Sequence, residues 1–252
     1  ALHRGHISLV EKALEISDRA LVSIFVNPGQ FGPGEDLSTY PRKLENDRRL
    51  LENAGAAAVF APNPDVVYPA GFSTAVEVTG LTRGLCGGFR PGHFRGVTTV
   101  CAVLFGIVRP HVAVFGEKDA QQLAVIRRMT ADLRMTLKIV SSPTVREDDG
   151  LAMSSRNAYL SSGERLQAPA IFRGLQAAAE LRRSGETGCD ALVQRFTEEI
   201  EKHSCLGIQY VETVDPDTME PVDSADGRIL MAVAVYAGET RLIDNIIIEP
   251  EV

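Results

Sequence analysis

Two histidines near the start of the chain have the type and spacing to serve phosphate chemistry. His3 and His6 stand on either side of Gly5 in the sequence HRGH. If a helix begins here, its first backbone N–H groups and its dipole favour an anion, and the glycine lets a phosphate come close to the backbone. The imidazoles add hydrogen-bond donors for a transferring phosphoryl group. Two unrelated surface histidines remain the alternative, because so short a motif also arises by chance.

A charged tetrapeptide, GEKD, follows an apolar run in the middle of the chain and precedes a helical pattern. This strand-to-helix position is where α/β proteins hold nucleotides. Lys118 supplies a point charge for a phosphate, and Asp119 can accept a hydrogen bond from a ribose hydroxyl. A charged helix cap is the alternative, since aspartate caps helices without any ligand.

Two serines and an arginine, Ser154 to Arg156, lie in a polar segment further along the chain. Hydroxyl groups and a guanidinium on a loop between domains can bind phosphates as the loop closes. A capping turn explains the serine pair equally well. Gln30 and Gln122 could bind a small polar substrate or could simply be solvated. The basic loop FRPGHFRG, with Arg90, His93 and Arg95, is either an anion-facing flap or a turn.

These residues together describe an ATP site without a protein nucleophile. The sequence contains no GxSxG motif, Cys–His pairing or metal-ligand spacing that competes with this interpretation. The substrate would then supply the nucleophile, and the protein would supply positioning and electrostatics.

The predicted secondary structure that must position these residues changes once along the chain, from alternating strands and helices to helices followed by strands. Strand and helix signals alternate in the first half, which predicts an α/β domain with a parallel sheet. Apolar spacing predicts a helix at about Gly5 to Ser17, and the run Ala20 to Val26 predicts a strand buried on both faces. After Pro143 come a polar loop, a long helix at about Ser161 to Arg183, a second helix and three strand-like runs. We therefore predict a Rossmann-like, doubly wound parallel sheet in residues 1–143 and a smaller α+β domain in residues 144–252.

Composition excludes several classes of protein. The 252 residues are 44% hydrophobic, enough for a sizeable core, and the net charge of −7 argues against a nucleic-acid partner. Four cysteines without metal-ligand spacing indicate reduced thiols in a cytoplasmic protein. No apolar stretch has the length of a membrane span, and no signal peptide is visible, so we predict no membrane partner.

One ordered set of motifs runs along the chain: ALHRGH, VNPGQF, YPR, RPGHFRGV, FGEKDAQQ, PTVREDDGLAMSSRN and RLIDN. In these motifs and their spacing the chain resembles the pantothenate synthetase family, part of the HxGH nucleotidyltransferase superfamily that is related to class I aminoacyl-tRNA synthetases. The resemblance spans essentially the whole chain, so it is more specific than any single motif. It implies ATP-dependent condensation of pantoate with β-alanine through a pantoyl adenylate, with release of AMP and pyrophosphate, in pantothenate and coenzyme A biosynthesis.

The resemblance also implies roles for single residues. The phosphates of ATP would be contacted by the catalytic set His3, His6, Lys118, Ser154, Ser155 and Arg156, with His6 in the place of the family's proton donor. The remaining ATP contacts would come from Gly5, Gly116, Glu117, Asp119, Val145 and Met153, of which Gly116 and Asp119 would hold the ribose, and Val145 and Met153 would lie at the adenine and the closing loop. Gln30 and Gln122 would orient pantoate, with Gln30 also near β-alanine.

The same resemblance carries expectations about cofactor, assembly and domains. The family needs Mg²⁺, and Asp47 stands where a carboxylate helps to hold it. The family is usually a cytoplasmic homodimer formed by the first domain. Residues 1–143 would bind ATP and pantoate, and residues 144–252 would form a lid.

Three departures from the family pattern stand out. Family members place a strand ending in Pro-Thr-Met-Gly before the histidine motif, so we expect the first strand of the sheet to be missing from this sequence. Gly29 stands where Met is common, and Ala120 stands where an aromatic residue is common. Both changes loosen the surroundings of Gln30 and Gln122, which bears on substrate affinity rather than on reaction type.

Three other functions share some of these features. A simple nucleotidyltransferase would use His3 and His6 but would not need the PTVREDDGLAMSSRN loop or the two glutamines. A tRNA synthetase is disfavoured by the short chain and the acidic balance. A non-catalytic nucleotide-binding relic would bind ATP without turnover.

Overall fold

The computed structural model describes residues 1–250, and these form two compact units. The first unit comprises residues 1–83, 87–117 and 121–143. The second comprises residues 84–86, 118–120 and the described chain from Thr144 onward. Within the described residues, no helix combines the length and the apolarity that a membrane crossing requires.

The first unit alternates helices with short parallel strands, as the sequence pattern predicts. Its elements, some of which run a few residues into the second unit, are α1 (Arg4–Ile16), β1 (Leu21–Ser23), α2 (Leu44–Asn53), β2 (Ala58–Phe60), α3 (Pro64–Val67), α4 (Leu85–Phe89), α5 (His93–Val108), β3 (Val112–Gly116), α6 (Ala120–Asp132) and β4 (Lys138–Ser142).

The parallel strands of the first unit form two separate pairs. Strand β1 pairs with β2, and β3 pairs with β4, both in parallel register. No strand within residues 1–250 joins the two pairs into one sheet. The α/β class is confirmed, but the strand predicted over Ala20 to Val26 is only three residues long, and Leu21 and Ser23 are exposed. A strand is buried on both faces only where other elements cover both faces of its sheet.

The second unit is an antiparallel sheet packed against helices. Its elements are α7 (Ser162–Gln167), α8 (Ala170–Arg183), α9 (Cys189–Ile200), β5 (Leu206–Val214), β6 (Ile229–Ala237) and β7 (Thr240–Ile248). The strand order is β5-β6-β7. The central strand β6 is buried except for Tyr236, and the side chains on one of its faces join those of α8 and α9 in one core. This sheet is the frame on which the polar loop after Pro143 rests.

The long helix predicted over Ser161 to Arg183 is two helices. Ser161 begins α7 with a capping box, in which its hydroxyl and the carboxylate of Glu164 bond each other's backbone N–H groups. Pro169 then separates α7 from α8, because proline has no N–H to continue the helical ladder.

The four cysteines form no disulfide in the described chain. Burial raises the pKa of the Cys101 thiol to about 12, and it also raises the pKa of the Cys189 thiol. Thiols with raised pKa values are poor nucleophiles at neutral pH. Cys101 and Cys189 therefore belong to the packing of the protein rather than to its chemistry.

Candidate active site

The histidine motif lies at the start of α1, where the sequence places it. His3 has extended backbone geometry at the N-cap position, and the helix begins at Arg4. Nδ1 of His6 lies 3.3 Å from the backbone nitrogen of His3 and accepts its hydrogen bond. A neutral imidazole that accepts at Nδ1 carries its proton on Nε2. His6 therefore presents an N–H donor at the opposite edge of its ring.

The two imidazoles pack against each other, with ring centroids 4.0 Å apart. Gly5 lies between them in the first turn of α1, and all three residues are partly accessible. No acidic side chain occupies the first turn of this helix. The helix start thus combines two imidazole groups with a glycine and has no acidic side chain in its own first turn, an arrangement that favours an anion.

Asp47 supports the backbone just before the histidine motif. It lies in the first turn of α2, is 3% exposed, and its Oδ1 accepts a 2.7 Å hydrogen bond from the backbone N–H of Leu2. The carboxylate predicted to hold a metal is therefore bound to the main chain one residue before His3. This hydrogen bond holds the backbone at the start of the histidine motif in place.

Gln30 lies at the end of a short 3-10 turn, Pro28–Gln30, that Asn27 caps. Asn27 is 2% exposed, and its amide donates to Oε1 of Gln30 at 3.3 Å and to the carbonyl of Gly96 at 3.1 Å. Its own Oδ1 accepts from the hydroxyl of Tyr68 at 2.7 Å. Asn27 thereby fixes both the backbone and the side chain of Gln30.

The basic loop FRPGHFRG holds the same glutamine from the other side. Arg90 forms an ion pair of 2.6 Å with Glu35 and donates to the carbonyl of Gln30 at 3.3 Å. Nδ1 of His93 lies 2.8 Å from that carbonyl oxygen. Hydrogen bonds from Arg90 hold the pKa of Glu35 below its ordinary value. The guanidinium of Arg90 already forms an ion pair with Glu35. Arg90 therefore orders the loop of Gln30 instead of facing a bound anion.

The remaining predicted residues of the first unit lie at the end of β3 and in the first turn of α6. Gly116 ends β3 and packs near Leu9 of α1, and Glu117 follows it. Gln122 is partly accessible on α6, whereas its neighbour Gln121 is buried and donates to the carbonyl of Leu81 at 2.9 Å. Gln122 is thus the one of the two that remains available for a substrate.

In the second unit, Lys118 and Ser154 line one small cavity together with Leu151, Ala152, Leu242 and Asp244. Within the described chain, no carboxylate pairs with the ammonium group of Lys118. A cationic and a hydroxyl side chain on one cavity form a donor pair for a phosphate oxygen. Asp119, the next residue, is exposed.

The polar loop after Pro143 folds back on itself. The backbone N–H of Met153 donates to the carbonyl of Val145 at 3.0 Å, so these two predicted ATP residues are direct neighbours. Gly150, with a φ of +92°, makes the turn, and a Cβ there would lie 2.7 Å from the ring of Phe172.

Ser154 then caps the 3-10 segment Ser155–Tyr159 by accepting from the N–H of Arg156 at 3.2 Å. The capping interpretation of Ser154 is therefore confirmed, and the same serine lines the cavity with Lys118. Asn157 donates to Glu147 at 2.9 Å, and Arg165 binds both Glu147 and Asp149 at 2.6 Å. Hydrogen bonds from Arg165 lower the pKa of Asp149. The serine–arginine segment is thus built on an ordered loop.

The RLIDN motif contains Asp244 and Asn245, to which the sequence alone assigns no role. In the structure, Asp244 forms a bidentate pair with Arg146, at 2.6 and 2.9 Å. Asn245 donates to the carbonyl of Lys118 at 2.9 Å. Spacing along the chain gives no signal of these contacts, because they join residues about a hundred positions apart. Asn27 and Glu35 were missed for the same reason.

Comparisons with known proteins agree with one another. A family model described as pantoate-beta-alanine ligase matches residues 1–247. A pantothenate synthetase from Acetivibrio thermocellus is 52% identical, over 98% of this chain and 88% of the relative. A crystal structure of pantothenate synthetase from Thermus thermophilus superposes with a TM-score of 0.96 at 46% identity, over 99% of this chain and 90% of that one. The chain belongs to the pantoate-beta-alanine ligase family.

A third relative has a crystal structure with bound ligands. The structure of the pantoate-beta-alanine ligase from Francisella tularensis, described as complexed with beta-gamma ATP and beta-alanine, has a TM-score of 0.79 and 34% identity, over 97% of this chain and 85% of that one. The predicted family, the α/β fold class and the ATP-dependent ligation of pantoate to β-alanine for pantothenate biosynthesis are confirmed. The roles of single residues in the ligase remain predictions.

The magnesium ion and its ligand Asp47 stay predictions for this ligase. Within residues 1–250, no three His, Cys, Asp or Glu side chains are grouped to bind a metal. Asp47, the predicted ligand, is buried, and its Oδ1 is bound to the N–H of Leu2. Magnesium typically keeps several waters and takes one or two carboxylates together with substrate phosphates.

Proposed function

We propose that this ligase works in two steps through a pantoyl adenylate. A carboxylate oxygen of pantoate attacks the α-phosphorus of ATP, and the bond from that phosphorus to the bridging oxygen breaks, so that pyrophosphate leaves. The amine of β-alanine then attacks the acyl carbon, the bond to AMP breaks, and the amine loses a proton. Both nucleophiles belong to the substrates, so the protein contributes positioning and electrostatic stabilisation.

The structural observation that supports the phosphate assignment is that Lys118 and Ser154, two predicted phosphate donors, lie close together at one small cavity. Lys118 would neutralise developing charge on the leaving phosphates, and Ser154, Ser155 and Arg156 would add donors from the ordered loop. His3, Gly5 and His6 would bind phosphate at the start of α1, with the N–H at Nε2 of His6 as the donor.

The remaining roles follow the motifs of the family. Gly116, Glu117 and Asp119 would contact the nucleotide, and the neighbours Val145 and Met153 would lie at the adenine. Gln30 and Gln122 would orient pantoate. The rigid support of Gln30 by Asn27, Arg90 and His93 favours a substrate-orienting role, because orientation requires a side chain that is itself fixed.

Mg²⁺, a homodimer and a cytoplasmic location complete the proposal. The first two rest on family resemblance alone, and the location also rests on the cysteine pattern of the sequence. We assign the magnesium ion no step in this proposal. Sedimentation equilibrium of the purified protein tests the assembly. A mass of one chain at micromolar concentration would contradict the homodimer.

Pantoate-dependent exchange between pyrophosphate and ATP, with β-alanine left out, tests the two-step function. We expect exchange with pantoate and none without it. Lys118→Ala should lower the exchange rate by roughly a hundredfold, as loss of one preorganised donor does. Lys138→Ala, at an exposed lysine of β4, is the matched control and should leave the rate unchanged. Labelled pyrophosphate that enters ATP only when β-alanine is present would contradict a free adenylate.

A further inference from the structure

The two polar residues at the end of the RLIDN motif, Asp244 and Asn245, support two elements of the proposed phosphate site. Asp244 and Asn245 are consecutive on β7 and pair with Val233 and Ala232 of the buried strand β6. Consecutive residues of a strand face opposite sides of the sheet. One rigid strand can therefore reach two different segments of the second unit.

Asp244 reaches the loop that carries the serines. Its carboxylate is 3% exposed and receives two hydrogen bonds from the guanidinium of Arg146. The same guanidinium donates to the carbonyl of Gly150 at 3.1 Å and lies 3.6 Å from the centre of the Phe172 ring. Arg146 thus binds the turn of the loop, the core helix α8 and β7 at once.

Asn245 reaches the lysine. Its side-chain amide donates to the backbone carbonyl of Lys118 at 2.9 Å, while its backbone N–H donates to Asp244 at 2.8 Å. The bond to Lys118 restrains the main chain from which the ammonium group projects. Asp244 itself lines the cavity that Lys118 and Ser154 share.

We propose that Asp244 and Asn245 are positioning residues of the ligase reaction. Asp244, through Arg146, sets the loop of Ser154 to Arg156, and Asn245 sets Lys118. This inference rests on the proposed role of Lys118 and Ser154 at the phosphates of ATP. Small displacements of such groups cost rate rather than substrate binding when the bonds matter most in the transition state.

A double-mutant cycle between Asn245→Ala and Lys118→Ala, made in the whole chain, tests whether Asn245 positions Lys118. Pantoate-dependent pyrophosphate–ATP exchange is measured well below the Tm of each variant. We expect Asn245→Ala to lower kcat tenfold or more with the KM for pantoate within twofold. In the Lys118→Ala background the same change should cost less than threefold, because no ammonium group is left to misplace.

The matched control is Gln209→Ala, which deletes an amide on the same sheet that binds Arg241 at 2.8 Å. It should leave kcat unchanged. Equal losses from Asn245→Ala in both backgrounds, or an unchanged kcat, would overturn the inference while leaving the proposed function intact. Full exchange activity in Lys118→Ala would instead overturn the role of Lys118, and the inference with it.

To test whether Asp244 acts through Arg146 on the serine loop, a variant is needed that still folds. Removing only one member of a buried ion pair leaves an uncompensated charge, whereas apolar replacement of both is often tolerated. The double variant Arg146→Met/Asp244→Leu should therefore keep its Tm within a few degrees. Positioning predicts that its kcat still falls tenfold or more. Wild-type kcat at a wild-type Tm would show that the pair is only structural and would overturn this part of the inference; a lower kcat at that Tm would support it.

Discussion

Arg90 donates two hydrogen bonds to the carboxylate of Glu35, at 2.7 Å to Oε1 and 2.6 Å to Oε2. The two residues are 55 positions apart, and the pair closes the loop that contains Gln30. Because Arg90 also donates to the carbonyl of Gln30, this ion pair links the basic loop to a predicted substrate residue. A surface pair in such a bidentate geometry contributes more than an isolated contact.

We expect Glu35→Gln to lower stability in a pH-dependent way. The hydrogen bonds from Arg90 lower the pKa of Glu35 in the folded protein, so the stabilisation is fully present above the unfolded pKa, roughly 4.3. It is lost as the pH falls through the folded value. The difference in free energy of unfolding between wild type and Glu35→Gln, from urea titrations, should be constant from pH 8 to pH 6 and shrink toward pH 3. Glu45→Gln, at an exposed residue of α2, is the control, and a constant difference down to pH 3 would contradict this origin.

We predict that the N–H group at Nε2 of His6 acts as a phosphate donor in adenylate formation. His6→Ala should reduce pantoate-dependent pyrophosphate–ATP exchange by roughly a hundredfold or more, equivalent to about 3 kcal/mol, because a preorganised phosphate donor is removed. Pantoate affinity, measured by calorimetry without ATP, should remain near that of the wild type. His111→Ala, at an exposed histidine just before β3, is the control. Unchanged turnover in His6→Ala would contradict the assignment.

Local sequence patterns predicted the elements that carry the site. The helix predicted at about Gly5 to Ser17 is α1, and the three strand-like runs after Pro143 are β5, β6 and β7, because apolar spacing and turn residues are properties of short segments. The break at Pro169 was missed, although proline is a known helix breaker. The helical pattern on both sides of Pro169 concealed it.

The parts of the site that local patterns could not predict are long-range contacts. Arg90 is basic in a Gly-rich loop, which fits a flap as well as a turn, and only the position of Glu35 in space decides between them. Likewise, the RLIDN motif reads as an ordinary strand with two polar residues, and its partners Arg146 and Lys118 are far away in the chain. Side-chain hydrogen bonds of this kind depend on the tertiary structure.

Two substitutions of Asp47 distinguish a metal ligand from a residue that only accepts a backbone hydrogen bond. Asp47→Asn keeps an oxygen that can accept from the N–H of Leu2, so it should keep most of the activity and the same dependence on Mg²⁺ concentration. Asp47→Leu leaves the N–H of Leu2 without this partner and should cost about 1–3 kcal/mol of stability. Both are checked by thermal unfolding and by a magnesium titration of the exchange rate. A magnesium requirement raised tenfold in Asp47→Asn would show that the carboxylate acts on the metal after all.

Two glycines give a matched test of the backbone packing around Gln30. A Cβ on Gly96 would collide with the carbonyl of Gly29, whereas a Cβ on Gly29 would meet Oδ1 of Asn27 at 3.4 Å, an ordinary contact. Gly96→Ala must therefore displace α5 or the turn before Gln30, and we expect it to cost about 1–3 kcal/mol of stability.

Gly29→Ala has no such cost. It restricts the unfolded chain and should leave stability equal or raise it by up to about 1 kcal/mol. Urea unfolding of the two variants beside the wild type measures both effects. Because Gly96→Ala moves the backbone that holds Gln30, it should also raise the KM for pantoate, whereas Gly29→Ala should leave that KM within twofold. Equal stability of the two variants would mean that the close approach of Gly96 to Gly29 does not constrain this loop in solution.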